Sequence, residues 1–392
     1  MEIYTLDPLL RREYIIDRFV SLIWTERLNT FGDFQLDIFS TFQSRSLLKP
    51  DTLLAMSNSY YVMRIESVED DVDAQGNKIL IIKGRSMEAI LQDRVAFLSL
   101  SDTTTVPKWT ITDVPAAVAR KVFHDICVTG TLNADDVIPF VVEGTFLDVG
   151  TTPEPTTSIT VDITPTTVYD VTNQICSTWD LGFRFLRKDS GSSSSLYYDI
   201  YAGSDRTTDQ TVLPAVVFSP ELDNLQNTKE LTAIDKAKNV AYVFSPVGYQ
   251  TVYAPGVDPT VDGFQRRVLV VDATDITSTV GLTAALTQRG NEALAAARAT
   301  MLFDGEINQN SQYVYGTDYN LGDLVNTQND DGVANVMQVT EQIFVSDSSG
   351  ERSYPTLTLR TYITTGAWLS WMNNKQWVDL DPDTSDVWNN QP

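Results

Sequence analysis

The stretch "YGTDYNLGDLV", residues 315–325, gathers Asp318, Asn320 and Asp323 beside Gly316 and Gly322. Hard oxygen donors this close together could hold Ca²⁺. An EF-hand loop needs an acid or amide at positions 1, 3 and 5, Gly at 6 and Glu at 12. Counted from Asp318, Asn320 fits position 3, but Gly322, Asp323 and Asn329 fall at 5, 6 and 12. Counted from Asp71, Asp73 and Gly76 fit, yet Ile82 occupies position 12. From Asp379, Asp381 and Asp383 fit, while Thr384 stands where Gly is required. No loop completes the pattern, so no metal ligand is assigned, and a weak surface cation site is left open. Turn chemistry, with Asp and Asn bonding to nearby backbone, accounts for the same residues.

His124 is the single histidine, and with Cys127 it is spaced i, i+3 on a predicted helix. That spacing would allow a thiolate–imidazole pair or half of a zinc site. No second Cys/His pair exists to complete a metal site, and the neighbours are apolar, so a core histidine is expected. A glycosidase needs only two carboxylates, and 52 acids leave that open by counting, though none lies in a cleft-like stretch. The phosphate-binding patterns GxxxxGK[ST] and GxGxxG are absent. No catalytic residue and no cofactor is assigned, and a protein that is not an enzyme is expected.

Lys+Arg 28 against Asp+Glu 52 gives a net charge of −24 with no compensating basic block. A field of that sign repels phosphate and argues against specific nucleic-acid binding or attachment to anionic lipid. The hydrophobic fraction of 42% and aromatic fraction of 10% are those of a folded chain. Cys127 and Cys176 are too few for a disulfide scaffold and sit in apolar surroundings, as reduced buried thiols would. Arg11, Arg12 and Asp17 interrupt any signal-like run at the N-terminus, and no apolar window is long enough to span a bilayer.

The elements that must position these residues are mostly strands. "SLIWTERL" and "DFQLDIF" alternate apolar and polar residues around an Asn29–Gly32 turn. "LLKPDTLLAM", "YYVMRIESVED" and "ILIIKG" follow, the last two forming a hairpin across the Gly-Asn turn in "DVDAQGNK". "RSMEAILQDRV" reads as a short helix capped by Ser86, with Ala89, Ile90 and Val95 inward. "TDVPAAVARKVFHDICV" carries Thr112 or Asp113 as cap and Pro115 in its first turn. Residues 131–168 are rich in Thr and Pro and read as loops and edge strands, a variable insertion. "VYDVTNQICSTWD" is a further helix, and "TAALTQRGNEALAAARATM" carries Leu286, Gly290, Ala293, Leu294 and Ala297 on one stripe.

Two distant stretches repeat one order of events. Asp51 precedes Leu53–Leu54 and Asp323 precedes Leu324–Val325; Val62–Ile65 then answers Val336–Val339. Each ends in an acidic glycine turn, with Gly76 or Gly350, and a closing strand; in the first copy that strand ends at Gly84. Hairpins share much of this grammar by chance. If the echo is a duplication, the chain holds two related antiparallel β-barrels.

The segments "EIYTLDPLLRREYIIDRFVSLIWTERLNTFGDFQL", "YYVMRIESVEDDVDAQGNKILIIKGRSMEAILQDRVA", "LTQRGNEALAAARATMLFDGEI" and "YGTDYNLGDLVNTQNDDGVANVMQVTEQIFVSDSSGERSYPTLTL" together resemble the siphophage tail-hub family. These are minor tail proteins of long-tailed phages, similar to the baseplate hub proteins of contractile-tail phages, and the resemblance covers most of residues 2–365. It implies a mainly β fold with α+β portions: two tube-like antiparallel β-barrel domains plus helix-containing inserted segments. It implies a homotrimer whose six barrels form a pseudo-sixfold ring. That ring would join the sixfold tail tube and distal tail protein to threefold tip proteins. The implied partners are the distal tail protein, the tape-measure protein and distal tip or central fibre proteins. Genome DNA would pass through the lumen without specific binding, and the chain would sit in the virion at the tail tip. A negative lumen would let that DNA slide.

The corresponding domain expectations are a first barrel over 1–105, completed by about 215–250, and an α+β segment over 106–214. A connecting segment with a helix follows over 251–300, then second-barrel strands over 301–365 and a Trp-rich tail over 366–392. Asp51, Gly76, Gly84, Gly316, Asp318, Gly322, Asp323 and Gly350 are expected to shape turns and barrel strands. Trp368, Trp371, Trp377 and Trp388 are interface candidates, because exposed Trp is enriched at interfaces. The alternative is a host-receptor or carbohydrate-binding tail-tip protein, with the Thr/Pro insertion and surface aromatics as its contacts.

Overall fold

The computed structural model describes residues 1–72, 76–97, 108–131, 133–144, 152–189, 194–307, 313–328 and 334–362. The first strands are β1 (Ile3–Leu6), β2 (Arg12–Ile16), β3 (Ser21–Arg27) and β4 (Asp33–Phe39), followed by the short helix α1 (Phe42–Leu47). Then come β5 (Leu53–Met56), β6 (Val62–Val72) and β7 (Lys78–Ser86). The middle of the chain holds β8 (Trp109–Asp113), α2 (Pro115–Phe123), β9 (Val141–Glu143), β10 (Ile159–Ile163), α3 (Val168–Thr178), β11 (Gly182–Asp189) and β12 (Ser194–Tyr201). Next are β13 (Val217–Phe218), β14 (Leu225–Ala233), β15 (Val240–Ser245), β16 (Gly248–Tyr253), β17 (Val268–Asp272) and α4 (Leu282–Ala296). The last strands are β18 (Ala299–Ile307), β19 (Leu324–Gln328), β20 (Ala334–Asp347) and β21 (Gly350–Thr361).

The chain divides into two compact units, Met1–Leu231 with Leu302–Leu359, and Thr232–Met301 with residues 360–362. In the second, β15 pairs antiparallel with β16 and parallel with β17. Helix α4 lies on that small sheet. Gly290 permits the contact: a Cβ there would lie 2.6 Å from the Val252 side chain. Val243, Val252, Leu286 and Leu294 form the core.

The first unit is built on a 13-stranded sheet in the order β14-β18-β21-β20-β3-β4-β7-β6-β5-β1-β2, with β19 beside β20 and β13 beside β19. Strand alternation explains its core. In β4 the buried residues are Phe34, Leu36 and Ile38, which meet Leu22 and Trp24 of β3 and Leu80 and Ile82 of β7. A second core gathers α2, α3 and the β11–β12 hairpin, where the Phe123 ring stacks on Tyr198 at 3.5 Å. The segment Met87–Asp93 is a 3₁₀ turn, not an α-helix, and Ser86 Oγ accepts from Gly32 N at 2.8 Å. Ala89 is buried there, but Val95 is 43% exposed.

The echo in the sequence is a repeat in the backbone. Leu53 faces Arg64 and Leu54 faces Met63, as Leu324 faces Gln338 and Val325 faces Met337. Asp51 N donates to Ile65 O at 2.8 Å and Gly322 N to Val339 O at 2.8 Å. Ile65 N donates to Thr52 O and Val339 N to Asp323 O, both at 2.9 Å. The β6–β7 register slips between Ile65 and Ser67, and the β20–β21 register between Val339 and Glu341. The order β3-β4-β7-β6-β5 is therefore matched by β14-β18-β21-β20-β19. The match pairs Asp51 with Gly322, one residue from the pairing with Asp323 read in the sequence. Both occupy the left-handed region, at φ 70° and 92°.

Several expectations change. The fold is mainly β, but no closed barrel is formed among the described residues: β14 ends the sheet, and the outer half of β6 has β7 on one side alone. Residues 215–250 do not complete the first repeat. Strands β13 and β14 join the second repeat, and the apolar run of β15 closes on its own small core. Within 131–168, β9 pairs parallel with β12 and β10 pairs with β8. Trp368, Trp371, Trp377 and Trp388 lie outside the described residues. No helix among the described residues is long and apolar enough to cross a membrane.

Candidate functional site

The two repeats meet where β3 pairs antiparallel with β20, and this joint carries the most unusual chemistry of the molecule. Glu26 faces Gln342 and Arg27 faces Glu341 across it. Arg27 Nε donates to Glu341 Oε1 at 2.7 Å. Glu26 is fully buried, because it follows Trp24 by two residues on the inward face of β3. A lone buried carboxylate would be costly, and here donors converge on it. Trp24 Nε1 donates to Oε1 at 3.1 Å, Tyr315 OH donates to Oε2 at 2.7 Å, and Ser59 Oγ also donates to Oε1. Burial nevertheless outweighs these bonds and pushes the Glu26 carboxyl up to about 7.

The opening stretch supplies the other half of the joint. Tyr319 OH donates to Gln342 Oε1 at 2.9 Å. The Tyr315 ring lies edge-on to Tyr319 and to Phe344, with centroids 5.6 and 5.7 Å apart. Gly316, at φ +83°, turns the chain between these tyrosines, and its N donates to Tyr319 O at 2.9 Å. Asp318 Oδ2 accepts from Val314 N at 2.7 Å. Asp323 is buried and accepts from Ser204 N at 2.7 Å, Asn320 N at 3.0 Å and Arg206 Nε at 3.2 Å. Burial raises its carboxyl despite those donors. These acids are engaged with backbone and arginine.

Beside the joint lies a second buried polar group. Glu88 accepts from Phe185 N at 2.6 Å, and burial pushes it up to about 7. Arg184 stands 3.7 Å over the Tyr201 ring and pairs with Asp199 at 3.1 Å. Tyr201 OH donates to Leu321 O at 3.1 Å. An open cavity of about 1070 Å³ runs over Glu26, Ser59, Tyr61, Arg184, Tyr315 and Tyr319. Its carboxylates are tied into the structure: Glu26 by its three donors, Asp189 by Arg187 and Ser194, and Glu351 by the N-terminal ammonium of Met1. The arrangement is suited to holding two sheets in one geometry.

His124 and Cys127, weighed as a thiolate–imidazole pair, lie apart in burial. His124 opens a π turn, His124–Val128, in which Ile126 and Cys127 are buried. His124 is exposed, not in the core as expected, and its Nδ1 lies 2.7 Å from Glu143 Oε2. Cys127 is buried, and burial pushes its thiol up to about 12; Cys176 is raised likewise. Among the described residues no group of three or more His, Cys, Asp or Glu side chains is placed to hold a metal ion. Of the turn residues, Gly76 and Gly350 sit at φ +84° and +113°. Gly84 answers a close approach: a Cβ there would lie 1.8 Å from Arg64 O.

Sequence reading missed Glu26, Gln342, Tyr315 and Tyr319. The available signal was an acid and an amide in the apolar register of strands, Glu26 after Trp24 and Gln342 before Phe344.

The family described as Siphovirus ReqiPepy6 Gp37-like protein matches residues 1–357. The chain belongs to that family. No curated protein matches this Gp37-like sequence. Its fold is similar to that of the tail protein from Neisseria meningitidis MC58, at 14% identity and a TM-score of 0.56, covering 91% of this chain and 96% of that one. It is also similar to the 43 kDa tail protein of prophage MuSo2 from Shewanella oneidensis, at 14% identity and a TM-score of 0.54, covering 91% and 97%. The Gp37-like chain thus has a phage tail-protein fold along nearly its whole length.

Proposed function

We propose that this Gp37-like chain is the hub subunit of a long-tailed phage tail tip. Three copies form a ring whose six repeats adapt the sixfold tail tube and distal tail protein to threefold tip proteins. The observation that carries this reading is the duplicated strand unit, with matching register, bulge and left-handed residue in both copies. A threefold assembly of a twofold repeat presents near-sixfold symmetry on the face that needs it. Closure of each repeat into a tube wall takes place in the ring. The acidic balance of −24 supports a lumen that repels DNA, so the genome passes without sticking. The tape-measure protein and the distal tip or central fibre proteins are the remaining partners. The chain works by assembly, in the virion, with no catalytic step.

Light scattering on the purified chain, alone and with a distal tail protein, tests this. A trimer, or a complex of three hub chains with a sixfold distal tail ring, is expected. A chain that stays monomeric at high concentration and ignores the distal tail protein would overturn it.

A further inference from the structure

We infer that copies of this chain join through β6 of one and β14 of the next, reproducing between chains the β20–β3 joint seen within one. This deepens the hub reading and rests on it. The repeat equivalence makes β14 the counterpart of β3, and Ser67–Val72 the counterpart of Glu341–Ser346, the segment that β3 covers. In the first repeat that segment has no strand beside it among the described residues, opposite β7. It is exposed at Ser67 and from Glu69 to Val72. β14 pairs with β18 and ends the sheet among the described residues, and most of its residues are exposed. Among the described residues, one sheet therefore offers a segment of the β20 type and a strand of the β3 type, each with a strand on one side alone. The occupant that fits both is a second copy.

The amide directions follow from the internal joint. Leu28 N donates to Thr340 O at 2.9 Å, which turns the amides of Gln342, Phe344 and Ser346 toward β3. The counterparts are Val68, Asp70 and Val72. In agreement, Val72 N donates outward to Asp71 Oδ1 at 2.7 Å. β14 runs antiparallel to β6 in the joint and brings Lys229 to a strand that carries Glu69, Asp70 and Asp71. Each chain has one edge of each kind, so the contact is head-to-tail and closes into a ring when the rotation fits. An open edge would invite uncontrolled pairing.

Hydrogen exchange on the full chain tests the joint directly. In the assembled wild type, amides of 66–72 and 225–231 should exchange about 100-fold more slowly than in the dilute, dissociated chain. Asp70→Pro removes one outward donor. Thr228→Pro and Lys229→Pro address amides that point to opposite sides of β14, and the variant that keeps its near-UV spectrum is used. Asp70→Pro and the folded β14 variant should each be monomeric alone and form a 1:1 heterodimer when mixed, through the one intact joint. Should Asp70→Pro not fold, Val72→Pro and the exchange data decide. A wild-type trimer with fast exchange at both edges, or folded variants that still form trimers, would overturn this joint while leaving the hub reading intact. A monomeric wild type would remove the hub reading with it.

Discussion

Glu26 and Tyr319 show what single side chains contribute at the joint. An acid whose folded pKa is raised keeps its proton where the unfolded chain has lost it. Its contribution therefore favours the fold below the ordinary carboxylate range and is lost as pH rises toward about 7, the folded value for Glu26 and for Glu88. Across that window each group weakens the fold by up to ~1.4 kcal/mol per pH unit. Glu26→Gln keeps the shape and abolishes the titration. Its melting temperature should exceed the wild type's by a few degrees at pH 8, with the gap closing toward pH 5. Parallel melting curves across that range would show that Glu26 does not titrate in the fold. Tyr319→Phe tests the neighbouring bond. It leaves the buried Gln342 carbonyl without its donor, and should lower stability by about 1–2 kcal/mol in chemical denaturation. An unchanged midpoint would mean that Gln342 finds another partner.

At the scale of elements, the β6–β7 hairpin was the most legible part. Alternating apolar residues and a Gly-Asn turn point to it from local text alone, because both signals lie within one hairpin. Its bulge was not legible. Neither was the reason for Gly84, which lies opposite the bulge with the Phe34 ring against it. A glycine in a strand weakens it unless another group needs the space. Two substitutions separate the roles of glycine here. Gly84→Ala must push Arg64 backbone aside and should cost about 2 kcal/mol or more. Gly76→Ala meets nothing within 4 Å and suffers only its φ of +84°, so it should cost about 1 kcal/mol. Similar midpoints for the two variants in urea would show that the β6 backbone yields at the bulge. The 3₁₀ turn after β7 and the π turn after α2 escaped for a related reason. Apolar spacing reports which residues go inward, not the pitch at which the backbone winds.

For the whole molecule, the sequence disclosed the repeat but not its joint. Strands β3 and β20 are some three hundred residues apart, and neither carries a mark naming the other. Only the fold shows that Glu26 and Gln342 share a register. Charge is the property that acts on the whole chain at once. Copies carrying −24 each repel one another as they approach, whereas the proposed joint consists of backbone hydrogen bonds that salt hardly touches. The Debye length shrinks from about 30 Å at 0.01 M salt to about 3 Å at 1 M, so added salt removes the repulsion and leaves the joint. Self-association measured by sedimentation should therefore tighten by about tenfold or more between ~20 and ~500 mM salt. An assembly held instead by surface ion pairs, such as Lys229 with the acids of β6 acting alone, would loosen over the same range. The sign of the salt dependence thus distinguishes a joint of paired strand edges from one of paired charges.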